Sequence, residues 1–304
     1  MILVAGSTGY LGSEICRRLT MGGARVRGMI RGTSDAGTVN ALRSFGVETT
    51  IADVRDRASL DAACRNVDTV ISTVTTTRSR QDGDSIEATD GSGQLALIDA
   101  ARQAGVERFV LISYTRNIDD DSPLTRAKRA AEARVIESGM EYTILRPSYF
   151  MEAWLSPALG FDFPNRRATI YGDGSRAISF ISLRDVAESA VRSLRCDDAV
   201  NAAIELGGPE ALSPAAIVRL FEELSGSSFE VQQMPEAALE AGVAGATDSL
   251  QCSFSALMLA YARGDEVRSE LQPRLAVPLT SVRDYARQAL AVPSAANPIA
   301  TSPP

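Results

Sequence analysis

The sequence predicts an α/β protein: a doubly wound parallel sheet carrying a smaller carboxyl-terminal α+β lobe. Three observations predict it. Short β-rich runs alternate with helical stretches up to about residue 147, a glycine string joins the first run to the first helix, and the alternation loosens beyond residue 150. Strands buried on both faces read as unbroken apolar runs, and helices between them specify parallel pairing.

MILVAG opens as a strand. A helix from about Leu11 follows, with Leu11, Ile15 and Leu19 recurring every four residues and Gly22-Gly23 ending it. RVRGMI, VETTIAD and VDTVIST read as strands two to four. A helix near Ser85 to Gly105, the strand RFVLIS, a helix within SPLTRAKRAAEARVIESG and the strand YTILRP complete this half. Pro157 and Pro164 then break the segment 151 to 166, and ATIYGDGSRAISFIS reads as two strands around a Gly-Asp-Gly turn. SLRDVAESAVRSL restores helical period and NAAIELG is a further strand. From about Pro214 the chain predicts mostly helix, with one strand in SFEVQQM and a closing helix from Ser281 to Leu290. Residues 1–150 are thus expected to form the sheet domain, with 167–207 returning to it. Residues 151–166 and 208–292 are expected to form the smaller lobe, and 293–304, PSAANPIATSPP, have too few large apolar residues to pack and predict disorder.

Composition removes several function classes. With 304 residues, 45% hydrophobic and 23% charged, the chain can bury a substantial core. Its net charge of −7 and the lack of a dense run of lysines and arginines argue against nucleic acid as a partner. No stretch reaches the ~18 apolar residues of a membrane span, and MILVAGSTG lacks the features of a secretory signal, so no membrane insertion and a cytoplasmic location are expected. The four cysteines lack ligand spacing and there is no histidine, which removes the usual imidazole base and predicts no metal site.

The chemistry is written at the ends of the strands. Gly6, Gly9 and Gly12 follow the first strand and open the first helix. The first suits a tight turn, the second lets backbone approach a pyrophosphate, and the third favours close helix packing. With Thr8, Tyr10 and Leu11 they predict a dinucleotide site of the Rossmann type; the alternative is a βα turn without a ligand. The second strand ends in Arg31 where a carboxylate would grip adenosine ribose hydroxyls, which favours NADP(H) over NAD(H); the bland reading is a solvated loop arginine. Thr33 and Ser34 are further donors, Asp35 lies slightly too late, and Asp53, followed by Val54, meets the adenine edge or caps the next helix. Thr73, Val74, Ser113, Tyr114, Pro147 and Ser148 close strands four to six along the same crevice. Six aromatics among residues 149 to 171, Tyr149, Phe150 and Trp154 foremost, suggest a pocket wall or, equally, packing between the lobes. The polar loop TTTRSRQDGDSIEATD is a candidate lid.

VAGSTGYLG, VRGMIR, IADVRD and GQLALIDAARQAGVERFVLISY, followed by LTRAKRAAEARVIESGMEYTILRPSYFME, resemble the atypical short-chain dehydrogenase/reductases. The resemblance points to the NmrA-like proteins and the isoflavone reductase and quinone reductase branch, and covers roughly residues 1 to 195. It implies NADPH as the usual cofactor, a small carboxyl-terminal substrate lobe, and backbone contacts from Pro147 and Ser148 to the nicotinamide carboxamide. Standard members use a YxxxK pair; the lysine matches Lys128, but Leu124 stands where the tyrosine would be. The isoflavone-reductase-like branch likewise keeps the lysine alone. On that footing Lys128 binds the nicotinamide ribose and serves as acid or base, Ser113 sits where relatives bond a substrate carbonyl, and Tyr114 is a substitute phenol. The competing reading pairs Lys128 with Glu132 on a wet helix.

Two functions follow as expectations. One is an NADPH-dependent reductase passing hydride to a hydrophobic quinone, enone or related carbonyl compound, as monomer or homodimer. The other is a non-catalytic NADP(H)-binding regulator or assembly factor, which needs a protein partner.

Overall fold

The computed structural model describes residues 1–77 and 80–291. Its first half alternates strictly: β1 (Ile2–Ala5), α1 (Tyr10–Met21), β2 (Val26–Ile30), α2 (Ala36–Ser44), β3 (Glu48–Ile51), α3 (Arg57–Ala63) and β4 (Thr69–Ser72). A π-helical segment, Ile86–Gly93, runs directly into α4 (Gln94–Gln103), then β5 (Arg108–Ile112), α5 (Pro123–Glu137) and β6 (Glu141–Pro147) follow. The second half adds α6 (Met151–Trp154), β7 (Phe161–Asp162), β8 (Arg167–Tyr171), α7 (Leu183–Ser193) and β9 (Ala202–Leu206). It closes with α8 (Pro214–Ser225), β10 (Glu230–Met234), α9 (Glu236–Ala244), α10 (Ser249–Arg263) and α11 (Val282–Ala291).

Seven strands make one sheet in the order β3-β2-β1-β4-β5-β6-β9, every pair parallel. The strand order reverses between β1 and β4, which opens a crevice at their carboxyl ends. Two apolar cores follow from the two covered faces. Leu11, Ile15 and Leu19 of α1 and Val186 and Ala190 of α7 bury against one face. Leu60, Leu97, Ile98, Ala131 and Val135 cover the other. Each fully buried leucine or isoleucine stabilises the fold by roughly 1.5–3 kcal/mol, so the every-fourth-residue pattern of α1 fixes that helix on the sheet.

The lobe departs from expectation in two places. β8 pairs with β7 and β10 in a second, three-stranded sheet, so residues 167–171 belong to the lobe, and the return to the large sheet is made by α7 and β9. The second strand expected around Ile178 is only a set of isolated bridges, Ile178 to Leu212 and Asp265 and Ile181 to Phe150. Its side chains alternate between two different cores: Ile178 and Phe180 enter the lobe core and Ile181 the sheet core. The segment therefore threads between two cores instead of lining one sheet. The tail 293–304 lies outside the described residues, and none of the described helices is long and apolar enough to cross a membrane.

Candidate active site

The glycine turn shows why each glycine stands where it does. Gly6 has φ +80°, and a Cβ there would lie 2.5 Å from Thr73 Oγ1; at Gly12 it would lie 2.2 Å from the Gly6 carbonyl oxygen. Gly9 differs, because a Cβ would meet only that carbonyl, at 3.3 Å. Gly9 is exposed. Thr73 locks the turn by donating to the Ala5 and Gly6 carbonyls at 3.1 and 3.3 Å. α1 starts at Gly9 without a side-chain cap, whereas α2, α3, α5 and α7 are capped by Asp35, Asp56, Ser122 and Ser182. An uncapped helix start behind a glycine turn fits a pyrophosphate. Leu11 and Val54 turn into the cores, with Val54 packed where a Cβ on Gly93 would lie 2.8 Å from it. Thr8 lies half-buried and Tyr10 exposed at the mouth of the turn.

Beyond β2 and β3 lies a cleft of about 570 Å³ lined by Arg31, Thr33, Ile51, Asp53, Arg55 and Gln81, among others. Arg31 is not a solvated charge: its Nη1 donates to Asp84 at 2.6 Å. Burial alone would raise the Asp84 pKa, but bonds from Arg31 and the Gln81 amide, with the Arg31 and Arg55 charges, hold it below the ordinary value. Asp35 caps α2 and does not reach toward the crevice. Asp53 caps nothing; Arg55 grips it through Nη2 at 2.8 Å and Nε at 3.0 Å, and Asp56 caps α3 instead.

Lys128 is buried at the carboxyl edge of the sheet. Its Nζ lies 3.2 Å from Asp90 Oδ1 and donates to the Val74 carbonyl at 3.3 Å. Asp90 sits on the π-helical segment with its side chain fully buried, and its Oδ2 accepts from the Thr76 amide at 2.9 Å and hydroxyl at 2.7 Å. π turns inside helices frequently mark functional positions, and here one aims a carboxylate at the lysine. The wet-helix pairing with Glu132 does not form. Glu132 accepts from Arg146 Nη2 and Arg129 Nη1, both at 2.7 Å, and from the Ser113 hydroxyl at 2.5 Å. Burial would raise the Glu132 pKa; the Arg146 and Ser113 bonds and the two guanidinium charges bring it below its ordinary value.

Tyr114 is held down as well. Its hydroxyl meets Thr125 Oγ1 at 2.5 Å, Thr125 donates to Asp120 at 2.8 Å, and Arg129 stacks on the ring at 5.1 Å. Burial pushes the phenol pKa well above 10. Leu124 packs with Ile86 and Ala127, flanked by Tyr114, Leu250 and Leu257, so apolar packing fills the place of a phenol. Pro147 ends β6, and Ser148 donates to Asp265 at 2.5 Å. Tyr149 and Trp154 meet edge to face at 4.7 Å and Trp154 stacks on Tyr261 at 4.7 Å, with a void of only about 10 Å³ beside them. That space suits one water at most. Phe150 packs on the sheet core.

The strand-end residues named from sequence stand at the carboxyl ends of neighbouring parallel strands. Asp90, Asp84 and Arg55 escaped that reading, and Glu132 entered it only as a partner for Lys128. Asp90 and Glu132 sit on helices among other charges, and Asp84 lies in a loop 53 residues from its partner Arg31. Arg55, two residues after Asp53, was the one legible signal.

Known proteins resemble the chain in sequence and in fold. Residues 1–267 match the model of the NmrA-like family. The chain is 32% identical over 228 residues to an NAD(P)H azoreductase of Xenophilus azovorans, covering 74% of each protein. It is 28% identical over 239 residues to the photosystem II assembly factor Ycf39 of a Synechocystis species, covering 78% of this chain and 72% of that one. A crystal structure of an NADPH-dependent quinone oxidoreductase from Escherichia coli, complexed with NADPH, superposes with a TM-score of 0.77 at 20% identity. That likeness covers 95% of this chain and all of the other.

Proposed function

The chain belongs to the NmrA-like family, and from that premise we propose that it is an NADP(H)-dependent reductase passing hydride to a hydrophobic quinone, enone or related carbonyl compound. The observation that carries the reading is the buried Lys128–Asp90 pair, whose lysine bonds the Val74 carbonyl next to Thr73, the residue that locks the glycine turn. Bound there, the nicotinamide would supply the hydride. The residues do the rest. Gly9 and the α1 amides hold the pyrophosphate, and Arg31 and Arg55 face the adenosine end. Lys128 bonds the nicotinamide ribose and delivers a proton to the reduced acceptor, directly or through water. Asp90 Oδ1, 3.2 Å from Nζ, is the carboxylate that positions the lysine. Ser113 and Tyr114 remain candidates for bonding the substrate carbonyl; each must exchange its present partner, Glu132 or Thr125, to do so. The apolar cluster around Leu124 keeps the approach dry, which suits a lipophilic acceptor. The azoreductase likeness supports the reading in kind.

The same residues allow a second reading, an NADP(H)-binding regulator or assembly factor. Leu124 in the tyrosine's place and the likeness to an assembly factor favour it. A panel of quinones and enones assayed for NADPH oxidation separates the two. A reductase oxidises NADPH only when an acceptor is present; a regulator binds NADPH, oxidises none of the panel, and holds a protein partner differently with NADP+ and NADPH.

A further inference from the structure

The adenosine cleft has an unusual charge balance for a site read as taking a 2′-phosphate. Among the described residues that line or back it, two guanidinium groups, Arg31 and Arg55, face four carboxylates, Asp53, Asp56, Asp82 and Asp84. Both arginines are engaged. Arg55 grips Asp53, and Arg31 donates to Asp84. The Asp84 side chain is only 2% exposed, so it lies behind Arg31 and away from the cleft mouth. Three further contacts fasten its loop there: the Gln81 amide donates to Asp84 at 2.8 Å, Arg55 Nη1 donates to the Asp82 carbonyl at 3.1 Å, and Thr33 bonds Gln81. Arg55 Nη1 also stands 3.5 Å from Asp84 Oδ1, so this one carboxylate touches the charge of both arginines.

We infer that Asp84 is a specificity-determining residue: it neutralises Arg31 from behind and so holds down the preference for NADP(H) over NAD(H) that the arginine alone would confer. The inference rests on the reading of this cleft as the adenosine site. A 2′-phosphate bonded to the outer side of Arg31 would lie about one guanidinium width from the Asp84 carboxylate, where like charges in a partly buried site repel appreciably. A ribose hydroxyl in the same place carries no charge and meets no such repulsion. The chain therefore accepts both dinucleotides, with affinities within about tenfold of each other. Asp84→Asn keeps an oxygen to accept the Gln81 amide and removes the charge.

The test is equilibrium binding of NADP+, NAD+, 2′,5′-ADP and 5′-AMP to the full chain and to its Asp84→Asn and Asp84→Ser variants, at low and high salt. The expected result is about tenfold tighter binding of the two 2′-phosphorylated ligands in both variants, with NAD+ and 5′-AMP unchanged and the gain shrinking at high salt. Weaker NADP+ binding would mean that Asp84 orients Arg31 for the phosphate and would overturn the inference, as would an equal shift for all four ligands. If wild type binds none of them and Arg31→Ala changes nothing, the dinucleotide reading of the cleft itself fails. That outcome differs from failure of the inference alone, which leaves wild-type binding intact.

Discussion

At the scale of single residues the site is a set of buried charges, each answered by at least one opposite charge. Lys128 and Asp90 form the most exposed dependency, because removing either leaves the other in a dry place. Asp90→Ala strands an ammonium, and thermal or chemical melts are expected to show a loss of about 3–5 kcal/mol. Lys128→Met leaves a carboxylate that keeps both Thr76 bonds, so its cost in the same melts is smaller, while NADPH oxidation falls about a hundredfold. Glu132 makes a pH prediction. Its folded pKa is lowered, so its contribution to stability is present above the unfolded value and is lost as pH falls through the folded one. Stability should drop below about pH 4.5 more steeply in wild type than in Glu132→Gln, measured by denaturant midpoints across that range. Lys128 was legible from the sequence through its resemblance to the family's lysine, but its partner was not. The i+4 rule pointed to Glu132, whereas chain folding brings Asp90 from 38 positions away and gives Glu132 to Arg146 and Ser113.

The elements follow from local chemistry wherever a period and a cap coincide. α1 has both its apolar stripe and its glycine entry, and its boundaries were readable to within a residue or so. Its glycines divide into two jobs that substitution can separate. Gly12→Ala forces a Cβ to 2.2 Å from a backbone oxygen, so poor folding is expected; Gly9→Ala meets the same oxygen at 3.3 Å, a tight contact that a small shift relieves, and should lose far less stability while weakening NADP+ at least tenfold. Calorimetry beside a binding titration tests the pair, and equal loss of stability in both would refute the division. The start of the helix before α4 was legible, with Ser85 as its cap, but the π turn was not. Periodicity is blind to one extra residue per turn in a polar stretch such as IEATDGSG. The strand expected around Ile178 failed for a related reason: apolar, β-branched residues also suit an extended chain wedged between two cores.

For the whole molecule, the join between sheet and lobe decides how the crevice is closed. Asp265, 2% exposed, ties them by accepting from Ser148 at 2.5 Å, Asn117 at 2.6 Å and Thr115 at 3.1 Å. Asp265→Ala is expected to cost about 3 kcal/mol and to raise hydrogen exchange in α10 ahead of the large sheet. The two-lobe plan was readable in outline from the loosened alternation after residue 150. The assignment of β8 to the lobe was not, because its partner β10 begins 59 residues after β8 ends and pairing over that distance leaves no local mark. The concentration of aromatics had two possible readings, and Trp154 and Tyr149 are packed into the lobe core beside Tyr261. The account as a whole stands on hydride transfer, so its most direct test is acceptor-dependent oxidation of NADPH by the purified chain. It predicts turnover with at least one hydrophobic quinone or enone, cut about a hundredfold by Lys128→Met at unchanged fold. NADPH that binds tightly yet passes hydride to none of the panel would contradict it.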